Sequence, residues 1–165
     1  MLRKALNIIG TMILLLLIAA VLPLTLPKLF GYRLYHILTP SMEPAIWMDS
    51  IVYVRSVDLE ALQEGDVIVF QIAGGLDTME THRIVHVDKD RQMFTTKGDA
   101  NFTEDQNPVL FSSVMGKVVF HIPLYGLLAD WLHSPRGIAV CTALFAAVLL
   151  MYVAADRIEP RGKNE

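Results

Sequence analysis

His82-Arg83-Ile84-Val85-His86-Val87, then Asp88-Lys89-Asp90, then Met93-Phe94-Thr95-Thr96 is the stretch on which the fold turns. Two runs rich in β-branched and aromatic residues flank a short charged turn, which is the signature of an antiparallel hairpin. On either side of it, similar short β-type runs occur at Ile51-Val52-Tyr53-Val54 and over Val114–Ile122, the latter ended by Pro123. Another, Asp66-Val67-Ile68-Val69-Phe70, follows the turn residues Glu64-Gly65. Gly74-Gly75 and the polar run from Asp99 to Asn107 read as loops, and Leu124 to Trp131 as a short helix or turn. There is no internal repeat and no low-complexity tract.

The two ends of the chain are of another kind. From Ala5 to Pro27 there is no charged residue, and Arg3 and Lys4 precede the run. That length spans a bilayer. A cleaved signal peptide, with Ala19-Ala20 as its small-residue cleavage region, is the competing reading. The run is long for such a segment, however, and Pro23 and Pro27 mark a helix exit, so an uncleaved anchor is expected. A second uncharged run extends from Gly137 to Ala155, with Arg136 before it and Arg157, Arg161 and Lys163 after it. The positive-inside bias places that C-terminal flank in the cytoplasm. Arg3 and Lys4 are nearly balanced by Lys28 and Arg33, so the second run carries the orientation.

The fold expected is therefore mostly β with a transmembrane helix at each end. Residues 1–4 form a cytoplasmic N-terminus, 5–27 the first span, 28–135 an extracytoplasmic β-rich domain, 136–156 the second span and 157–165 a cytoplasmic tail. Trp47, Trp131, Tyr32 and Tyr35 are candidate interfacial anchors, ordinary packing being equally open for each. Composition agrees with a membrane class: 53% of the 165 residues are hydrophobic and the mean hydropathy is +0.44. Soluble domains hold roughly 45–50% apolar residues. The net charge of −3 comes with no basic block, which argues against a nucleic-acid partner. The single cysteine, Cys141, falls in the second apolar run, so it has no intramolecular disulfide partner.

Chemistry enters at Thr39-Pro40-Ser41-Met42-Glu43-Pro44, about a dozen residues beyond the first apolar run. A hydroxyl between two prolines is ordinary turn chemistry. To act as a nucleophile, Ser41 needs a base with a pKa near the operating pH. Five histidines are present: His36, His82, His86, His121 and His133. On a regular strand His82 and His86 share a face with Ile84. That pair raises a zinc reading, which the scattered carboxylates and the absence of a cysteine outside the apolar runs disfavour; no metal and no other cofactor is expected. A histidine base needs a carboxylate to fix its tautomer and stabilise its imidazolium. Asp99 and Asp105, on the loop Thr96-Lys97-Gly98-Asp99-Ala100-Asn101-Phe102-Thr103-Glu104-Asp105, are both within reach, and spacing does not choose between them.

Ser41-Met42-Glu43-Pro44, Gly65-Asp66-Val67-Ile68-Val69-Phe70, His82-Arg83-Ile84-Val85 and Lys97-Gly98-Asp99-Ala100-Asn101 with Asp105 occur in the order seen in type I signal peptidases. From Leu38 to Phe120 the chain resembles the Ser–His branch of the endoplasmic reticulum, archaea and some Gram-positive bacteria. The resemblance implies a signal-peptidase-like β domain held to the bilayer. It implies Ser41 as acylating nucleophile, His82 as general base, and Asp99 and Asp105 as the two retained acids. The Ser41 N–H and the Thr39 hydroxyl would bind the oxyanion. Lys97 and Lys89 do not occupy the lysine position of the common bacterial enzymes. Pro40 stands where the family usually has Gly, and Trp47-Met48-Asp49 where a Gly-Asp turn is common.

The implied function is a membrane-bound serine endopeptidase (a hydrolase) that cleaves signal peptides from preproteins after Ala-x-Ala-like residues. Its partners would be membrane-tethered preproteins, the lipid bilayer, and secretion machinery or partner subunits. Ile37, Met42, Ile46 and Ile84 are candidate pocket walls, with core packing the alternative for each. A different class of reading is a catalytically inactive, membrane-tethered β domain serving as an assembly partner.

Overall fold

The structure is a computed structural model that describes residues 1–72 and 78–158. Gly74-Gly75, Arg161, Lys163 and the rest of the tail from 159 onward lie outside those residues. Two compact units emerge: the helical termini, and the span Leu26–Leu127.

Among the described residues the central unit holds seven strands: β1 (Tyr32–His36), β2 (Ile51–Arg55), β3 (Val67–Gln71), β4 (Met79–Asp88), β5 (Met93–Lys97), β6 (Val109–Leu110) and β7 (Val114–Ile122). They form one antiparallel sheet in the order β1-β2-β7-β3-β4-β5-β6. The hairpin and the three other β-type runs are all there. β1 and β6 were not expected from the sequence.

Alternate side chains of β3 leave in opposite directions, which is why its sequence is a continuous apolar run. Ile68 and Phe70 join Leu62, Ile84, Phe94, Val109 and Phe111 in one core cluster, where Phe94 and Phe111 stack at 4.3 Å. Val69 joins Ile37, Met42, Ile46, Val52 and Val54 in the other. β7 passes between β2 and β3 with a register shift against each. Gly116 lies there at φ +150, where a Cβ would strike the Arg55 carbonyl, so only glycine fits.

β4 departs from a regular, fully paired strand in two ways. It pairs with β3 along Met79–Arg83, but β5 begins only at the Arg83–Lys97 pair, so among the described residues the β4 edge over Met79–His82 lacks a strand partner on that side. The register also shifts between Ile84 and His86. That bulge breaks the period of two and corrects the shared face expected of His82 and His86. His82 is buried, while the His86 side chain is 67% exposed and faces Glu64 at 3.3 Å.

In the helical unit, α1 (Leu2–Leu29) and α3 (Pro135–Arg157) enclose the two expected apolar segments, and each is long and apolar enough to cross a membrane. Almost none of either is buried inside the protein. Pro23 and Pro27 lie within α1 and do not end it, correcting the expected exit; apolar spans tolerate interior prolines when neighbouring groups take up the freed polar atoms. Thr11 Oγ1 lies 2.9 Å from the Tyr152 hydroxyl, beside Gly10, whose missing side chain leaves room for that ring. Ser134 caps α3 by accepting from the Gly137 N–H at 3.0 Å, with Pro135 at the first helical position. The short helix expected near Leu124 is α2 (Tyr125–His133). Trp47 and Trp131 are about half exposed, and Tyr32 and Tyr35 belong to β1.

Candidate active site

Ser41 sits on a single 3-10 turn, Pro40–Met42. Proline is pre-set for the first helical position and has no N–H to satisfy there, which is why Pro40 is accommodated. The next residue, Met42, is fully buried in the second core cluster and fixes the turn from below. Thr39 is the extended residue before the turn, and its Oγ1 stands 3.2 Å from Ser41 Oγ. From the other side, the Ala100 N–H donates to the Ser41 carbonyl at 2.8 Å. Gly98 makes that approach possible, since a Cβ there would lie 2.6 Å from the same oxygen.

His82 occupies β4 opposite Ile68 and is 4% exposed. Its Nδ1 lies 2.6 Å from Asp105 Oδ2, and Thr96 Oγ1 donates to that same oxygen at 2.7 Å. The Asp105 N–H donates to the Thr96 carbonyl at 2.9 Å, pinning the loop to the end of β5. With Nδ1 donating to the carboxylate, a neutral ring has Nε2 as its acceptor. The Phe70 ring stands edge-on to the imidazole at 6.3 Å between centroids and restricts its tilt.

Asp99 is engaged elsewhere. Its carboxylate takes both Nε, at 2.7 Å, and Nη2 of Arg83, and Arg83 Nη1 donates to the Gly65 carbonyl at 2.7 Å. The Asp99 hydrogen bond raises the Arg83 guanidinium above its ordinary pKa, against the opposing effect of burial. Thus the two acids left open by sequence spacing have separate partners. Lys97 ends β5 opposite Arg83, and Lys89 lies in the hairpin turn.

Two contributors were not anticipated. Thr96 is completely buried, and its hydroxyl is spent on Asp105. Arg83 directly follows His82, and alternation along a strand sends consecutive side chains to opposite faces, so the pairing of Arg83 with Asp99 leaves His82 to Asp105. An arginine directly after a candidate base on a strand is a signal that could have found Arg83, whereas the burial of Thr96 leaves no mark in the sequence.

Ser41 borders an open cleft of about 200 Å³. Ile37, Leu38 and Thr39 form one bank and Thr78–Thr81 the other. Of the four candidate wall residues only Ile37 lines it. Met42 and Ile46 are core residues of the same cluster, and Ile84 belongs to the opposite one. Asp49, just beyond, adopts φ +62, a conformation aspartate tolerates better than most residues, and faces His36 Nε2 at 3.2 Å. It takes the left-handed position, so Met48 before it is not required to be glycine.

The chain is 40% identical over 101 residues to Signal peptidase I W of Bacillus subtilis, covering 59% of this chain and 52% of that protein. It is 37% identical over 71 residues to the SEC11 signal peptidase complex catalytic subunit of Scheffersomyces stipitis, 42% of each chain. Against the SEC11C catalytic subunit of Rattus norvegicus it is 28% identical over 126 residues, 70% of this chain and 65% of the relative. No family model matches. The chain therefore spans less than two thirds of the length of each of these relatives. Both groups of relatives bear out the resemblance to type I signal peptidases of the branch shared by the endoplasmic reticulum and Gram-positive bacteria.

Proposed function

We propose that the protein is a membrane-anchored serine endopeptidase that cleaves signal peptides from translocated preproteins through an acyl-enzyme. The observation that carries the reading is the buried His82–Asp105 pair at 2.6 Å, tied by one short loop to the turn that holds Ser41. Ser41 Oγ attacks the scissile carbonyl as its proton passes to His82 Nε2. Asp105 holds the tautomer and stabilises the imidazolium, and Thr96 keeps Asp105 aimed. The Ser41 N–H and Thr39 hydroxyl receive the oxyanion. His82 then returns the proton to the leaving amine, and a water activated by the same nitrogen releases the acyl group. Asp99 acts through Arg83, as a positioning residue for the loop.

The unpaired β4 edge over Met79–His82 supports an extended peptide substrate, because its free backbone groups are those a further strand would take up. The cleft bounded by Ile37 and Leu38 favours small side chains next to the scissile bond, in keeping with Ala-x-Ala-like sites. The basic flanks support cytoplasmic termini, with residues 28–135 on the far side of the cell membrane. Anchoring enzyme and substrate in one bilayer raises their effective concentration. The name of the yeast and mammalian relatives, subunit of a signal peptidase complex, supports partner subunits for this chain as well.

Cleavage of a preprotein by the full chain in liposomes tests the reading. Ser41→Ala and His82→Ala should each abolish it, and undiminished cleavage by Ser41→Ala rules the mechanism out.

A further inference from the structure

A second cleft, of about 320 Å³, lies between the end of β3, the start of β4 and the stretch from Asp105 to Leu110. Phe70 and Ile72 supply apolar wall, Glu80 and Asp105 carboxylates, and Gln106 and Asn107 amides. Among the described residues its lining includes no basic side chain. Ile72 and Glu80 line both this cleft and the one beside Ser41, so the two meet along the start of β4. Among the described residues the Glu80 carboxylate enters no ion pair or hydrogen bond.

The strand geometry says how one ligand would use both. Glu80 and His82 project to one face of β4, Met79 and Thr81 to the other. Glu80 sits opposite Phe70 in the ladder, which places it on the side of the second cleft. A peptide added to the free β4 edge sends alternate side chains to the two faces. The residue whose carbonyl meets Ser41 turns its side chain into the Ser41 cleft. The residue before it turns into the second cleft, and the one before that returns to the first.

We propose that this second cleft is a subsite for the second residue before the scissile bond, and that Glu80 sets its charge preference, favouring basic over acidic side chains. The subsite rests on the peptidase reading of Ser41 and His82. The volume admits a long side chain. A carboxylate without a partner attracts an ammonium or guanidinium and repels another carboxylate.

The test uses the full chain in liposomes and three preproteins that differ only in carrying Lys, Gln or Asp at that position. Wild type should give kcat/KM in the order Lys, Gln, Asp, with the extremes about fivefold or more apart, as a partly buried charge pair permits. Glu80→Gln should draw the Lys-to-Asp ratio toward one, and Glu80→Lys should invert it. Each ratio is taken within one variant, so any general loss of activity divides out, and the near-isosteric Glu80→Gln serves if Glu80→Lys does not fold. A Lys-to-Asp ratio that Glu80→Gln leaves at the wild-type value overturns the subsite while the peptidase reading stands. Failure of wild type to cleave even the Gln preprotein overturns the peptidase reading and the subsite with it. Binding of the same sequences as peptides to Ser41→Ala protein should follow the same order and flatten at high ionic strength.

Discussion

Asp105 Oδ2 lies 2.6 Å from His82 Nδ1, whereas Asp99, six positions earlier on the same loop, closes on Arg83. The two acids should therefore fail differently. In the proposed mechanism Asp105→Asn keeps the shape but removes the charge that would stabilise the imidazolium and inverts the favoured tautomer, so kcat should fall by about 10³–10⁴. Asp99→Asn should instead cost about 1–3 kcal/mol of stability, because it strips a forked charge-assisted pair from a partly buried arginine. Turnover and thermal unfolding measured on both variants check this; an Asp99→Asn protein with the larger loss in kcat at full occupancy of the fold would reverse the assignment.

Thr96 and Thr39 offer a second contrast. Thr96→Val keeps the volume but leaves Asp105 with one fewer donor, and should lower kcat by about tenfold through a less well-held base. Thr39→Val should lower kcat by about 10²–10³ with little change in KM, as expected for a donor used only in the transition state. Thr39→Ser should restore most of the activity. Steady-state kinetics on the three variants is sufficient, and a Thr39→Val effect confined to KM counts against an oxyanion role.

Gly98→Ala places a Cβ 2.6 Å from the Ser41 carbonyl oxygen, a backbone atom that has no rotamer with which to move aside. The loop must back away from the Ser41 turn. Expected outcomes are a loss of about 1–3 kcal/mol in stability and at least a tenfold fall in kcat, read by unfolding and cleavage on the same preparation.

Tyr53 is held above the ordinary phenol value of 10.0, first by burial and then by Tyr125, which burial raises as well. An acid whose folded pKa is raised stabilises the fold fully below its unfolded pKa, and that contribution is lost as pH climbs toward the folded value. The domain should therefore weaken progressively above about pH 10. Tyrosinate absorbance of the native protein should lag that of the denatured chain over this range. In Tyr53→Phe the lag should shrink; an unchanged lag would show that other tyrosines account for it.

The sheet was largely legible because runs such as Ile51–Val54 and Val67–Phe70 are short, β-branched and bounded by turn residues. β1 escaped because Tyr-Arg-Leu-Tyr-His mixes charge and aromatics beside an apolar helix, and its strand character comes from pairing with β2. β6 has only two residues, too few to show a period. Ser41 and His82 stood out as candidates from their motifs. The choice between Asp99 and Asp105 was not, since it depends on which face of β4 each acid meets after the loop turns back. Nor was the separation of His82 from His86, because a bulge leaves no mark in the alternation it interrupts. Pro40 became intelligible only once the turn it opens was seen.

The loop that begins at Gly98 is bonded to the Ser41 carbonyl through the Ala100 N–H and to the Thr96 carbonyl through the Asp105 N–H. Ser41, the proposed nucleophile, and Asp105, the proposed orienting acid, are therefore fastened to one clasp, and release of one end should slacken the other. The amide protons of Ala100 and Asp105 should consequently exchange with solvent in a single concerted opening, with matching protection, so that the site is either wholly assembled or wholly open.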